Sequence, residues 1–197
     1  MRKIFIIFTF LFLTFNIEAQ NDSVELILQN LQKISPDYFK KKAFKNLKER
    51  LFTEAERNIK IAILLESDSI KKSENYYYAA VTGFALGKYP ESRKMALLAV
   101  EYNPKFCKSY ILIAKLYAGS KSICPEEFDC GSAVFWVAAD KLEKAKTVDC
   151  SCNEEANKLI KIYEDRFPET RCFSALREGY KYTVGCWINE ETIVRFK

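Results

Sequence analysis

The chain has 197 residues, with 31 Lys and Arg, 26 Asp and Glu, no histidine, seven cysteines, six glycines and five prolines. Without histidine, Ser-His and Cys-His catalytic arrangements, His-ligated zinc or haem, and a histidine pH switch are excluded. The formal net charge of +5 is spread over interleaved acids and bases, which disfavours a nucleic-acid binder, and so few glycines and prolines disfavour collagen-like, linker-rich or many-turned all-β chains.

Arg2 and Lys3 precede an apolar run from Ile4 to Phe15, followed by Asn16, Ile17, Glu18, Ala19 and Gln20. A positive start, about 12 apolar residues and a small residue at the end predict a signal peptide over 1–19, cut after Ala19. The run is shorter than the roughly 20 apolar residues of a spanning helix. No later segment reads as a transmembrane span. The mature chain is therefore expected to be soluble and exported, periplasmic or secreted, with its cysteines in an oxidising compartment.

Asp22 with Glu25 reads as a capping box, and Val24, Ile27, Leu28, Leu31 and Ile34 keep helical spacing, so a capping helix is predicted within 20–35. Ser35-Pro36-Asp37 restarts the chain as N-cap and first turn. Helices are then predicted over Asp37–Glu49, Thr53–Glu66, Ser73–Leu86, from Pro90 to before Asn103-Pro104, and over Lys105–Ala118, Ser132–Thr147 and Asn153–Phe167. After Pro168, residues Tyr180, Tyr182 and Val184 alternate with Lys181 and Thr183. Cys186-Trp187-Ile188 and Thr192–Phe196 are β-prone, with Asn189-Glu190-Glu191 between them like a turn. A β-hairpin or extended tail is predicted over 168–197, either covering the apolar end of the helical stack or forming a separate binding element.

The helices come in pairs, and the pairs echo one another at an offset of 37 residues. Leu51-Phe52-Thr53-Glu54-Ala55 aligns with Lys88-Tyr89-Pro90-Glu91-Ser92, and the same offset carries Ala62 onto Ala99 and Ser67 onto Pro104. The unit Ser73–Pro104 resembles a tetratricopeptide repeat (TPR). Tyr76 stands at the early aromatic, Ala79 and Ala80 at the packing positions, Gly87 at the turn glycine, Tyr89 at the following aromatic, Ser92 and Ala99 at the small residues, and Pro104 at the closing proline. Gly83 and Ala96 depart from the pattern. A unit at 36–67 carries Phe39, Ala43, Phe52, Ala55 and Ala62 but lacks the turn glycine. A third, 107–150, carries Tyr110, Ile113, Ala114, Tyr117, Ala138 and Ala145 around an insertion at 120–131. A half unit follows at 153–167.

The resemblance implies a mainly α protein: a right-handed α-solenoid of about three helix hairpins with flanking helices, here with the small C-terminal β element. It implies protein or peptide binding on the concave face, lined by the first helix of each pair. Carried over residue by residue, that face comprises Lys40, Lys41, Phe44 and Lys48; Tyr77, Tyr78, Val81 and Phe84; and Lys108, Ile111, Leu112 and Lys115. Aromatic anchors with lysines beside them suit an extended acidic or C-terminal peptide. Phe44, Tyr78 and Leu112 stand where the chaperone-binding members carry polar clamp residues, against that particular activity. Core packing under a solvated lysine face accounts for the same pattern.

The cysteines are Cys107, Cys124, Cys130, Cys150, Cys152, Cys172 and Cys186. No C-x-x-C is present, so a thioredoxin-like site or zinc ribbon is not supported. At about 1.5 Å per residue, a helix between Cys130 and Cys150 holds them roughly 25–30 Å apart, beyond disulfide reach. In antiparallel pairs Cys107, Cys150 and Cys152 fall at one end of the stack and Cys124, Cys130 and Cys172 at the other, with Cys186 able to join either set. Cys124–Cys130 would staple the insertion, and Cys107 with Cys150 or Cys152 the third unit. Seven is odd, so one thiol stays free or pairs between chains. Glu126, Glu127 and Asp129, and Glu190 and Glu191 in the tail turn, read as solvated loop charge and show no metal-ligand spacing. No cofactor, metal or catalytic motif is expected. The expected role is a non-enzymatic adaptor or scaffold in the bacterial cell envelope, binding an unidentified protein or peptide. The alternatives are a thiol–disulfide redox protein using Cys150 and Cys152, or a self-assembling structural subunit.

Overall fold

A computed structural model describes residues 35–124, 132–172 and 176–197. The expected signal peptide, the helix within 20–35, most of the insertion and Cys130 lie outside the described residues. Seven α-helices occupy the described chain: α1 (Pro36–Lys48), α2 (Phe52–Leu65), α3 (Ser69–Ala85), α4 (Tyr89–Tyr102), α5 (Cys107–Gly119), α6 (Val134–Val148) and α7 (Asn153–Glu164). They pack as the pairs α1–α2, α3–α4 and α5–α6, each pair against the next, with α7 closing on α6. No described helix is long and apolar enough to cross a membrane.

The 37-residue echo is a structural repeat down to single dihedrals. At the end of α3, Gly87 takes φ +71°, its N–H reaching the Phe84 carbonyl and the Lys88 N–H the Gly83 carbonyl. At the end of α1, Arg50 takes φ +59°, with Arg50 N–H on Leu47 and Leu51 N–H on Asn46. Both are Schellman terminations, which place one residue in the left-handed region. The first unit therefore keeps the turn without its glycine, and a non-glycine residue carries the strain.

Small residues set how closely the pairs approach. A methyl group built on Gly83 would lie 3.3 Å from the Ser92 Cβ, so glycine is what lets α3 and α4 come together here. The Ser92 hydroxyl donates to the Ala80 carbonyl at 2.6 Å, and the Ser73 hydroxyl to the Ala99 carbonyl at 2.7 Å. Helix α3 starts four residues earlier than the sequence pattern suggests, because Asp68 caps it by accepting from the Lys71 N–H.

The core thickens toward the C-terminus. Phe39, Ala43, Ile59 and Ala62 form a small cluster in the first unit. A larger one runs from Ala80 through nearly every side chain of Ile111–Tyr117 and Val134–Ala139. Helices α5 and α6 bury most of their length, α5 through Ile111–Ala114, Leu116 and Tyr117 and α6 through Val134–Ala139, Leu142 and Ala145, while Lys108 of α5 and Glu143 and Lys144 of α6 stay exposed. By contrast α7 buries Ala156 and Tyr163 and turns Glu154, Glu155, Lys158, Lys161 and Glu164 to water. That polar outer face is what a terminal helix of a stack requires.

The tail forms a two-stranded antiparallel hairpin, β1 (Lys181–Val184) and β2 (Glu190–Ile193), with Val184 opposite Glu190 and Lys181 opposite Ile193. Two expectations are corrected here. The turn spans residues 185–189, with Cys186 (φ +59°) and Asn189 (φ +46°) in the left-handed region, and Glu190 and Glu191 belong to a strand. The hairpin also does not sit over the end of the stack, where α7 supplies the polar cap. It lies on the edge where α5 leads toward α6, touching α4, α5 and α6.

Candidate functional site

Two regions concentrate chemistry-bearing side chains. The first is a hollow of about 260 Å³ lined by Tyr77 from α3, Lys108, Ile111, Leu112 and Lys115 from α5, and Glu155 from α7. Ile111 and Leu112 are nearly buried and make its floor. Tyr77 forms a wall, packed edge-on against Phe106 (5.2 Å) and Tyr78 (5.4 Å). Burial, with Tyr78 and Glu155 nearby, pushes the Tyr77 hydroxyl above its ordinary range, so it remains a protonated donor at neutral pH. Lys115 pairs with Glu155 at 2.7 Å across the mouth. Lys108 is exposed and carries no ion pair among the described residues.

The structure thus gathers Tyr77, Lys108, Ile111, Leu112 and Lys115 around one concavity. The other residues singled out lie apart from it. Lys40 is held by Glu74 at 2.5 Å, and Phe44 stacks edge-on against Tyr78 at 4.2 Å, filling the space between α1 and α3. Val81 is half-buried against the main core, and Phe84 packs on Tyr89 at 5.5 Å. Lys41 and Lys48 are exposed. Glu155 was not anticipated. The available signal was that α7 reads as the first helix of a further unit, so that its side chains extend the same surface. Glu74 and Phe106, which neutralise Lys40 and support Tyr77, show no sequence signal of their own.

The second region is the hairpin's seat. The Arg93 guanidinium donates to the Ile188 carbonyl at 2.6 Å and the Tyr117 hydroxyl at 3.2 Å, and lies 5.1 Å over Trp187. The Tyr117 hydroxyl donates to Glu190, which also pairs with Lys141 at 2.6 Å. Burial first, and then Glu190, pushes Tyr117 well above its ordinary range. Thr192 donates to Asp140 at 2.5 Å. Arg195 donates to Asp140 and to the Trp136 carbonyl, each at 2.7 Å. Trp187 donates to the Ser120 hydroxyl at 3.1 Å. Glu190, expected to be solvated charge, is instead compensated at this seat. Every one of these groups points at another part of the chain, so the cluster is a latch for the tail.

Among the described residues there are two disulfides: Cys107–Cys152, with Cα atoms 6.2 Å apart, and Cys124–Cys186, at 5.7 Å. The expected Cys124–Cys130 staple is replaced, because the hairpin turn brings Cys186 beside the start of the insertion. Cys150 is exposed and forms no bridge among the described residues, and Cys152 is bonded to Cys107, so Cys150 and Cys152 are not joined to each other. The side chain of Cys172 is outside what the structure describes. Among the described residues no group of three His, Cys, Asp or Glu could hold a metal ion.

No protein-family model matches the chain, and no curated protein sequence does. The fold is similar to the TPR2B-domain:pHsp70 complex of yeast Sti1, with a TM-score of 0.54 at 17% identity, covering 66% of this chain and 96% of that one. The TPR2AB-domain:pHSP90 complex of yeast Sti1 gives 0.54 at 17% identity, over 73% of this chain and 54% of that one. The TPR domain of Arabidopsis OM64 gives 0.51 at 15% identity, over 68% and 98%. The architecture is thus a right-handed solenoid of tetratricopeptide-like helix hairpins, with a small two-stranded sheet at its C-terminal side.

Proposed function

We propose that the protein is a non-enzymatic binding module that holds an extended protein segment in the hollow between α3, α5 and α7. The observation that carries this is the lining of the concavity: an aromatic wall of Tyr77 over the nearly buried Ile111 and Leu112, with Lys108 at the rim, exposed and without an ion pair among the described residues. Such a site takes an apolar side chain and favours acidic residues next to it. The Sti1 domains of similar fold are in complexes with pHsp70 and pHSP90, which supports a segment-binding use of this architecture. A place in the bacterial cell envelope, as an adaptor or scaffold, is supported by the charged and apolar pattern of residues 2–19 and by the two disulfides, which fit an oxidising compartment.

The test is panning of a displayed random-peptide library against the full chain, followed by fluorescence anisotropy with the enriched peptides. Enriched sequences are expected to place acidic residues beside an apolar anchor. Lys108→Glu, an exposed change that leaves the core intact, is expected to weaken them about tenfold. No enrichment, or equal binding to Lys108→Glu, overturns the reading.

A further inference from the structure

Three cysteines lie at the starts of α5 and α7, the helices that carry most of the hollow's lining. Cys107 is the first residue of α5, and Cys152 immediately precedes α7. Their bridge joins the two helices that supply the hollow's floor and one side of its mouth: Ile111 and Leu112 on α5, Glu155 on α7. Both helices pack principally on α6. Their spacing at this end is set by the bridge together with the Lys115–Glu155 pair. Cys150, the exposed free thiol, lies in the same 3-10 turn as Cys152, two residues away. The turn rests against the bridge, with the Ser151 hydroxyl 3.8 Å from the Cys107 sulfur.

We propose that Cys150, Cys152 and Cys107 form a thiol–disulfide exchange site that switches the hollow between a clamped and a released form. Cys150 loses its proton to water, and its thiolate attacks the Cys152 sulfur. A Cys150–Cys152 bond forms within the turn as the Cys107–Cys152 bond breaks, and the Cys107 sulfur leaves as a thiolate that takes a proton from water. Bonds and electrons balance, and no external oxidant is consumed. Both bridge sulfurs lie at helix N-termini, Cys107 at the start of the 13-residue α5 and Cys152 at the N-cap of the 12-residue α7, so each can leave as a stabilised thiolate, and attack on Cys152 is the one that frees α5. Attack on Cys107 instead would move the tether two residues and leave α5 clamped. Release of Cys107 leaves α5 and α7 linked across the mouth by the exposed Lys115–Glu155 pair, which is a weak restraint. The effect on ligand binding rests on the function proposed above; the exchange and its effect on the hollow do not.

The experiment uses the full oxidised chain, incubated at about pH 8.5, the ordinary thiol pKa. Thiols are alkylated, and the protein is digested without reduction and mapped by mass spectrometry. Two populations are expected: Cys107–Cys152 with Cys150 alkylated, and Cys150–Cys152 with Cys107 alkylated. Cys150→Ser should hold only the first. In a methyl-labelled sample, Ile111 should give two sets of NMR signals in the wild type and one in Cys150→Ser. Cys107→Ser, which forces the released form, should reproduce the second set. Peptides from the panning should bind the Cys150→Ser and Cys107→Ser proteins with affinities differing at least fivefold. Alkylation at Cys150 with none at Cys107 overturns the proposal. So does Cys150 bonded to Cys130 or Cys172, or an Ile111 signal common to all three proteins. If panning recovers no peptide while both bridge populations and both Ile111 signals are present, the exchange site stands and the binding function falls. If peptides bind and Cys150→Ser and Cys107→Ser hold them equally, the binding function stands and the switch falls.

Discussion

Replacing Arg93 with alanine should detach the C-terminal hairpin from the helical stack. Its guanidinium donates at 2.6 Å to the carbonyl of Ile188, a residue only 1% exposed, so truncation strands a buried acceptor. A hydrogen bond from a charged donor contributes about 1.5–3 kcal/mol. The stacking over Trp187 at 5.1 Å and Tyr117 at 5.9 Å adds roughly 0.5–1 kcal/mol. The approach to Glu190, at 3.8 Å between partly exposed groups, adds at most a few tenths. Arg93→Ala is therefore expected to destabilise the hairpin by about 2–4 kcal/mol, and Arg93→Lys, which keeps charge but loses the planar fork, by about 1 kcal/mol. Urea unfolding followed by tryptophan fluorescence reads the loss through Trp187. Amide exchange at Val194 and Gly179, whose N–H groups pair with the Tyr180 and Val194 carbonyls, localises it. Lys94→Ala, at the exposed neighbouring position, should stay within about 0.5 kcal/mol of wild type. If Arg93→Ala matches Lys94→Ala, or if exchange at Val194 and Gly179 is unchanged, the latch reasoning fails.

The two Schellman turns predict opposite signs. Arg50→Gly should raise stability by about 1 kcal/mol by removing left-handed strain, and Gly87→Ala should lower it by about as much, both read as shifts in the urea midpoint at constant slope. Tyr117 has a folded-state pKa raised above its ordinary 10.0, chiefly by burial, so the folded form holds the proton more tightly. Its contribution is whole below pH 10 and is lost as pH rises further, by up to about 1.4 kcal/mol per pH unit. Tyr117→Phe cannot ionise, and its unfolding free energy should therefore fall less steeply above pH 10 than the wild type's. The Cys124–Cys186 bond closes a sequence separation of 62 residues, for which the chain-entropy relation gives about 4 kcal/mol. The double variant Cys124→Ser/Cys186→Ser should lose up to that much in urea titration, with hydrogen exchange rising first in β1 and β2.

Much of the architecture was legible because it is written locally. Helical spacing, the small residues Ala80, Ser92 and Ala99, and the turn at Gly87 act over one or two turns of chain, and their recurrence at 37 residues exposes the stack. Even the missing glycine of the first unit marked a real position, since Arg50 adopts the conformation glycine would have taken. The tail was read less well. Asn189-Glu190-Glu191 looks like a turn in isolation, yet the turn falls at residues 185–189. That register lets Val184, Ile188, Thr192 and Val194 face inward together.

The candidate site divides along the same line. The face presented by the first helix of each pair follows from helical periodicity, so Tyr77, Lys108, Ile111, Leu112 and Lys115 could be named as neighbours from sequence. Their closure into a hollow depends on Glu155, which comes from a helix whose tilt against α6 no local pattern encodes. Lys40 and Lys115 look alike in sequence with Lys108, and only the fold shows that Glu74 and Glu155 hold the first two while Lys108 has no ion pair among the described residues. Glu190 reads as loop charge, and becomes a paired group only when Arg93, Tyr117 and Lys141 are brought to it. By itself the sequence determined the helices, their repeat and the face each presents, because those follow from side-chain spacing along a helix. Tertiary structure alone decided which charges are neutralised, which cysteines meet and where the tail docks, because those depend on distances between residues far apart in the chain.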